Sequence, residues 1–234
     1  MAREDGFDFE NNMFVRLLAR LGDAMLLGMC FILFSIPIIT IGASLTALYY
    51  TAIKGITLDG GYVWKYFTSS FKRNFKQATA IWLIFAVVLF VLGVDCWFWL
   101  TQWTQNHIGY AKIFLLISVI MFSVAFIMFM YVFGLVAKFE NTVKGHIKNA
   151  ALMAVKNFPF TMLLLLVHVF VIWAFYYTPV LAVIVYVIVG AGLLGYLNGY
   201  LLYRTFQPYL PDDTVRDDPY HVPDAEEDSE ESES

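Results

Sequence analysis

The stretch "SIPIITIGASLTALYY", residues 35–50, places a proline, two threonines and a glycine inside the first long apolar run of the chain. The run, Ala24 to Ile53, extends ~45 Å as one helix, too long for ~30 Å of hydrocarbon and too short for two ordinary crossings. Whether the chain passes straight through or turns back here fixes the side of the membrane on which every later loop lies. Lys and Arg accumulate in short cytoplasmic loops, so the bases bear on the choice. Arg3, Arg16 and Arg20 precede the run; Lys54, Lys65, Lys72, Arg73 and Lys76 follow it; Lys138, Lys144, Lys148 and Lys156 lie between the third and fourth apolar runs; Arg204 and Arg216 follow the last. A single crossing gives five spans and leaves the N-terminal bases outside. A turn at Pro37 to Gly42 places every basic group except Lys112 inside, with both termini cytoplasmic. The reading adopted is a helix from Asn12 to Ile36, a turn through Pro37 to Gly42 and a short return helix from Ala43 to Ile56. At ~21 Å the return must tilt little, sit in thinned bilayer or lie between neighbouring helices.

Pro37 removes a backbone donor and Gly42 permits a turn conformation. Carbonyls freed at that depth need partners, and the Thr40 and Thr46 hydroxyls are candidates. A broken helix of this kind holds substrates or ions in transporters, which makes Thr40 and Thr46 candidate binding residues. The alternative is a simple turn in the outer leaflet.

Working outward, 60% of the residues are apolar and only 15% charged, far from a soluble domain. Four further runs, Ala80 to Leu100, Ile113 to Val136, Phe160 to Tyr177 and Val180 to Tyr203, approach or exceed the ~20 residues of a crossing. The expected fold is an all-α polytopic transmembrane bundle of five full spans plus the short return helix, with two cytoplasmic interfacial helices. The acidic start "MAREDGFDFENN" has neither a basic region nor a cleavage site, so no removed signal peptide is expected. Cys30 and Cys96 fall inside apolar runs and form no metal or disulfide motif. The net charge of -4 conceals two halves: residues 212–234 hold 11 of the 19 acids, while the preceding body is basic. Residues 1–211 therefore read as the membrane domain and 212–234 as a disordered, solvated acidic tail.

Two elbows join the spans. In "GYVWKYFTSSFKRNFKQ", Trp64, Phe67, Phe71 and Phe75 recur at helical spacing, with Lys65, Lys72, Arg73 and Lys76 largely on the remaining arc. That is the pattern of a helix lying on the inner membrane surface. "NTVKGHIKNAALMAVKNF" repeats it more weakly, setting Val143, Ile147, Ala150 and Ala154 against Lys144, Lys148 and Lys156. Both elbows end in a lysine, an asparagine and a phenylalanine before an outward span, consistent with a parallel repeat of residues 43–100 and 111–177.

Ionisable groups within spans are functional candidates. Asp95 comes late in an outward run beside Trp97, Trp99 and Trp103, an interfacial belt, and His168 comes close to mid-membrane. Ala191, Gly195 and Gly199 form a small-residue seam in the last span. The seam serves packing inside one bundle or dimerisation on an exposed face. No zinc-protease helix, phosphate loop, paired carboxylate or serine elbow occurs, so neither catalytic residues nor a metal or cofactor are expected, and no nucleic-acid partner.

"PIITIGASLTALYY", "FTSSFKRNFKQATAIWLI", "KFENTVKGHIKNAALMAVKNFP" and the closing "FQPYLP" resemble the YesL family of bacterial membrane proteins over residues 11–211. The motif residues are Pro37, Thr40, Gly42, Ala43, Thr46 and Ala47, followed by Phe71, Lys72, Asn74 and Phe75. The resemblance implies a multi-pass protein of the bacterial cytoplasmic membrane in carbohydrate utilisation, encoded beside sugar-importing ABC transporters, and it supplies no catalytic residues. "ENTVKGHIKNAALMAVKNFP" is also similar to the loop by which ABC permeases touch their ATPase, with Glu140, Gly145 and Pro159 in comparable order. The expected partners are membrane lipids and ABC permease and ATPase subunits. They would dock on Lys65, Phe71, Lys72, Arg73, Asn74, Phe75, Lys144, Lys148 and Lys156, with Pro37, Gly42, Gly195 and Gly199 serving helix packing. The other reading is a small stand-alone transporter or channel for a sugar or ion, using Thr40, Thr46, His168 and Asp95.

Overall fold

The computed structural model describes residues 13–57 and 62–209. In chain order the helices are α1 (Met13–Ser35), α2 (Ile41–Thr57), α3 (Val63–Thr104), α4 (Ala111–Lys138), α5 (Val143–Lys156), α6 (Phe158–Tyr177), α7 (Pro179–Val185) and α8 (Ala191–Phe206). A single π-turn, Tyr186–Gly190, makes α7 and α8 continuous, and no strand occurs among the described residues. Five helical stretches, α1, α3, α4, α6 and the α7–α8 pair, are long and apolar enough to cross a membrane. The chain is an all-α polytopic bundle, with the N-terminal residues 1–12 and the acidic tail outside the described part.

The chain turns at the proline. Residues preceding a proline are pushed out of the helical region, and α1 stops at Ser35; Pro37 itself is extended, at φ -74° and ψ 113°. One 3₁₀ turn, Ile38–Thr40, then starts α2. The Phe34 carbonyl left open by this break is met by the Thr40 hydroxyl at 2.6 Å; the same hydroxyl lies 2.6 Å from the Pro37 oxygen, which also accepts the Thr40 N–H at 2.9 Å. In hydrocarbon no water can serve such a carbonyl, so a donor from the protein is required. The return helix brings Gly55 and Ile56 back beside Arg20 and Asp23 of α1.

Of the three ways to accommodate so short a return, enclosure is the one observed. From Gly42 to Lys54 every residue of α2 except Leu45 is buried. Its neighbours are α1, α3, α4 and α8. The enclosing helices carry the outward apolar side chains: Leu17, Met29 and Leu33 on α1, and Val87, Phe90 and Val91 on α3, are all exposed. Small residues let backbones approach where lipid supplies no hydrophobic driving force between helices. A side chain at Gly42 would strike the Ala78 carbonyl and the Trp82 Cβ of α3. At Gly195 it would meet Leu48 at 2.7 Å, and at Gly199 the Ala52 Cβ at 2.8 Å. The seam of the last span therefore packs within the bundle, against α2. Gly28 and Gly192 make the matching approach of α1 to α8, with the Gly28 Cβ position 2.7 Å from the Gly192 nitrogen.

The turn stops well short of the far end of α3: Gly42 lies against Ala78 and Trp82, and α3 continues a further ~33 Å beyond Trp82 to Thr104. One expectation changes: the first elbow is not a separate helix. It is the first part of α3, a single helix of 42 residues, ~63 Å long. The middle of its aromatic stripe faces protein: Phe34 of α1 meets Phe71 at 4.9 Å, Phe67 at 5.4 Å and Trp64 at 6.0 Å between ring centroids, while Trp64 and Phe75 at the two ends stay exposed. Periodicity shows which face is apolar but not whether lipid or another helix covers it; the α1 hairpin covers the middle of this one.

The second elbow, α5, also runs back along the helix before it, with Leu152 and Met153 beside Leu135 and Phe139, and Ala151 and Ala154 beside Ile127 and Met128. Here the helix does break, because Pro159 has no N–H to offer. Thr161 mends the break by donating to the Ala154 carbonyl at 2.8 Å, and its oxygen takes the Tyr131 hydroxyl at 3.0 Å.

Candidate functional site

The polar residues expected within the spans do not converge. Thr46 donates to the Gly42 carbonyl at 3.0 Å, as Thr40 does at the turn, so both hydroxyl protons are used by the backbone. His168 has Nδ1 2.9 Å from the Leu164 carbonyl, which can only accept, so Nδ1 carries the proton; its ring stands edge-on to Phe126 at 6.1 Å. Asp95 accepts from Trp99 Nε1 at 3.1 Å and from the Ser118 hydroxyl, latching α3 to α4 near the tryptophan end. Their partners on α4, Ser118 and Phe126, stand ~12 Å apart along the helix, so Asp95 and His168 serve separate contacts. Among the described residues no group of three or more His, Cys, Asp or Glu could hold a metal ion.

The basic residues do converge. Antiparallel packing collects the start of α3, the end of α4, α5 and the end of α8 at one end of the bundle. The loop before α5 is fastened to α3 twice. Arg73 pairs with Glu140 at 3.2 Å, and the Gln77 amide donates to the Asn141 carbonyl. The Thr142 hydroxyl then accepts from the Gly145 N–H at 3.1 Å and starts α5. These contacts fasten the start of α5 to α3 at the end of the bundle that carries the lysines, and Lys65, Lys72 and Lys76 of α3 and Lys144, Lys148 and Lys156 of α5 are all exposed. Lys54 does not join them, being buried with its ammonium 5.9 Å from the Tyr66 ring centroid.

Beside the face lies an open groove of about 720 Å³, lined by Leu135, Phe139, Asn149, Leu152, Met153, Val155, Lys156 and Tyr209. Lys156 closes one edge, 4.7 Å over the Tyr209 ring. Two residues expected on the docking surface are not there. Asn74 is buried and donates to the Ser70 carbonyl at 3.1 Å, and Phe71 packs between Phe34 and Phe75. Phe75 stays exposed at the rim. His146, which the sequence did not single out, is buried on α5 with no partner for either ring nitrogen among the described residues. Burial holds its pKa below the ordinary histidine value.

Five long apolar helical stretches, an enclosed hairpin return and a one-sided basic end together define a multi-pass helical membrane protein. Residues 24–96 match the model of a family described as a protein of unknown function, DUF624; the matched segment runs from α1 through the enclosed α2 into α3. No curated protein and no solved structure matches the chain significantly.

Proposed function

We propose that this chain is a non-enzymatic accessory subunit of a carbohydrate ABC importer, held in the bacterial cytoplasmic membrane with its basic end inward and docking permease or ATPase subunits there. The single observation that supports this most is the joining of α3 and α5 through Arg73–Glu140 and Gln77–Asn141 into one face of exposed lysines beside an apolar groove. The positive-inside rule orients that face to the cytoplasm. The sugar-import setting comes from the resemblance to YesL, which belongs to the family whose model matches residues 24–96. The stand-alone transporter draws less support, since Thr40, Thr46, His168 and Asp95 make separate structural bonds and do not converge on one site. Affinity purification of the tagged chain from native membranes in mild detergent tests the proposal. Co-recovery of a permease or its ATPase is the expected result. Repeated recovery of the chain without either, in several detergents, would count decisively against it.

A further inference from the structure

The basic end is electrically unbalanced within the bundle. All of the 15 lysines and arginines except Arg3 and Arg216 lie among the described residues, whereas of the 19 acids only Asp23, Asp95 and Glu140 do. Among the described residues, Lys72, Lys76, Lys144 and Lys148 have no carboxylate partner. Most of the missing charge lies a few residues past the groove: 11 acids follow Tyr209, and Tyr209 is itself the groove wall on which Lys156 rests.

We propose that the acidic C-terminal segment, residues 212–234, is the resident occupant of this basic face. The sequence carries both kinds of contact in the right order. "TVRDDPYHVP" brings Val215, Tyr220 and Val222, apolar side chains for the groove of Leu135, Phe139, Leu152 and Met153. "DAEEDSEESES" follows with the carboxylates for the lysines. Reach is no obstacle, since the 25 residues after Tyr209 extend ~80 Å, whereas Lys156 to Lys144 is ~18 Å along α5. Tethering supplies an effective concentration of about millimolar, so a weak contact suffices. An acidic partner must displace the tail, which makes it an internal competitor that sets a threshold for docking. That consequence rests on the proposed docking role, but the contact itself does not.

The test uses the full chain in zwitterionic nanodiscs, with spin labels on cysteines at Ser69 and Ser229 in a Cys30→Ala, Cys96→Ala background. The expected result is a short-distance population that falls at least about threefold between low and ~0.5 M salt, because screening at that strength acts within a few ångströms. Neutralising Glu226, Glu227, Asp228, Glu230 and Glu231 to Gln and Asn should remove it equally, and that variant leaves the bundle untouched. Lys72→Gln, Lys76→Gln, Lys144→Gln and Lys148→Gln together should do the same. A distribution indifferent to salt and to both variants would overturn the proposal. So would a short distance that arises only between singly labelled chains, or one that vanishes when the nanodiscs contain phosphatidylglycerol, since another chain or lipid headgroups would then hold the face. Partner capture is a separate measurement, so failure of the tail contact and failure of the docking role are distinguishable.

Discussion

Replacing Thr40 by valine keeps the shape of the side chain and removes one proton. That proton lies between two carbonyls, Phe34 and Pro37, each 2.6 Å from the hydroxyl, where the helix is broken; the Pro37 oxygen also accepts the Thr40 N–H at 2.9 Å, so the Phe34 oxygen is the one that depends on the side chain. A buried polar group left without its partner costs ~1–3 kcal/mol, while side-chain hydrogen bonds inside membrane proteins average nearer ~0.6 kcal/mol. The Pro37 carbonyl keeps the Thr40 N–H in the variant, so the loss falls on the Phe34 carbonyl and is counted once. About 1–2 kcal/mol, roughly a 5- to 30-fold shift toward the unfolded state, is the expected effect of Thr40→Val. Thr40→Ser retains the donor and should recover most of it. Reversible unfolding in mixed micelles of mild detergent and dodecyl sulfate measures both. A valine variant as stable as the wild type, or a serine variant as damaged as valine, would refute the claim that this hydroxyl seals the turn.

Gly42→Ala should destabilise by ~1–3 kcal/mol, because the added carbon meets the Ala78 backbone, which cannot swing aside; Gly22→Ala, with nothing within 4 Å, should be neutral or stabilising by up to ~1 kcal/mol in the same unfolding assay. His146 gives a pH signature. Its folded pKa is depressed by burial, so the unfolded chain binds more protons and stability falls as pH drops below ~6.5, by up to ~1.4 kcal/mol per pH unit; unfolding at pH 7.5 and 5.5 should show the loss, and His146→Leu should abolish it. In a background lacking Cys30 and Cys96, a cysteine at Ser69 should be protected from impermeant thiol reagents in intact cells and one at Asn106 labelled. Labelling at Asp5 from outside would contradict the turn.

The reversal at Pro37 was legible because proline, threonine and glycine inside an apolar run have few other uses, and the placement of bases agreed. The lysines were legible for the same reason, since charge in so apolar a chain must find an end. Depth was not legible. Nothing in "PIITIG" says that α2 begins opposite Ala78, because depth depends on which helices enclose it. The stripe of Trp64, Phe67 and Phe71 was read as apolar and assigned to lipid, although Phe34, some thirty residues earlier, packs on Phe67 and Phe71 and leaves Trp64 exposed. Asn74 looked like a docking residue in "KRNF", yet its place on the Ser70, Asn74 and Ala78 side of α3 turns it inward. Contacts between α3 and the distant loop before α5, Arg73 with Glu140 and Gln77 with Asn141, leave no local signal at all. The ion pair is exposed and worth little in stability, so its role is to hold the two arcs in register.

The account stands or falls on the basic face as a docking surface. The direct measurement is partner recovery from native membranes by the full chain carrying Lys72→Gln, Lys76→Gln, Lys144→Gln and Lys148→Gln, all exposed positions. The account predicts that expression and membrane insertion match the wild type while the permease and ATPase are lost from the eluate. Recovery of both at wild-type levels would contradict it and move any contact to the lipid-facing surfaces of the spans.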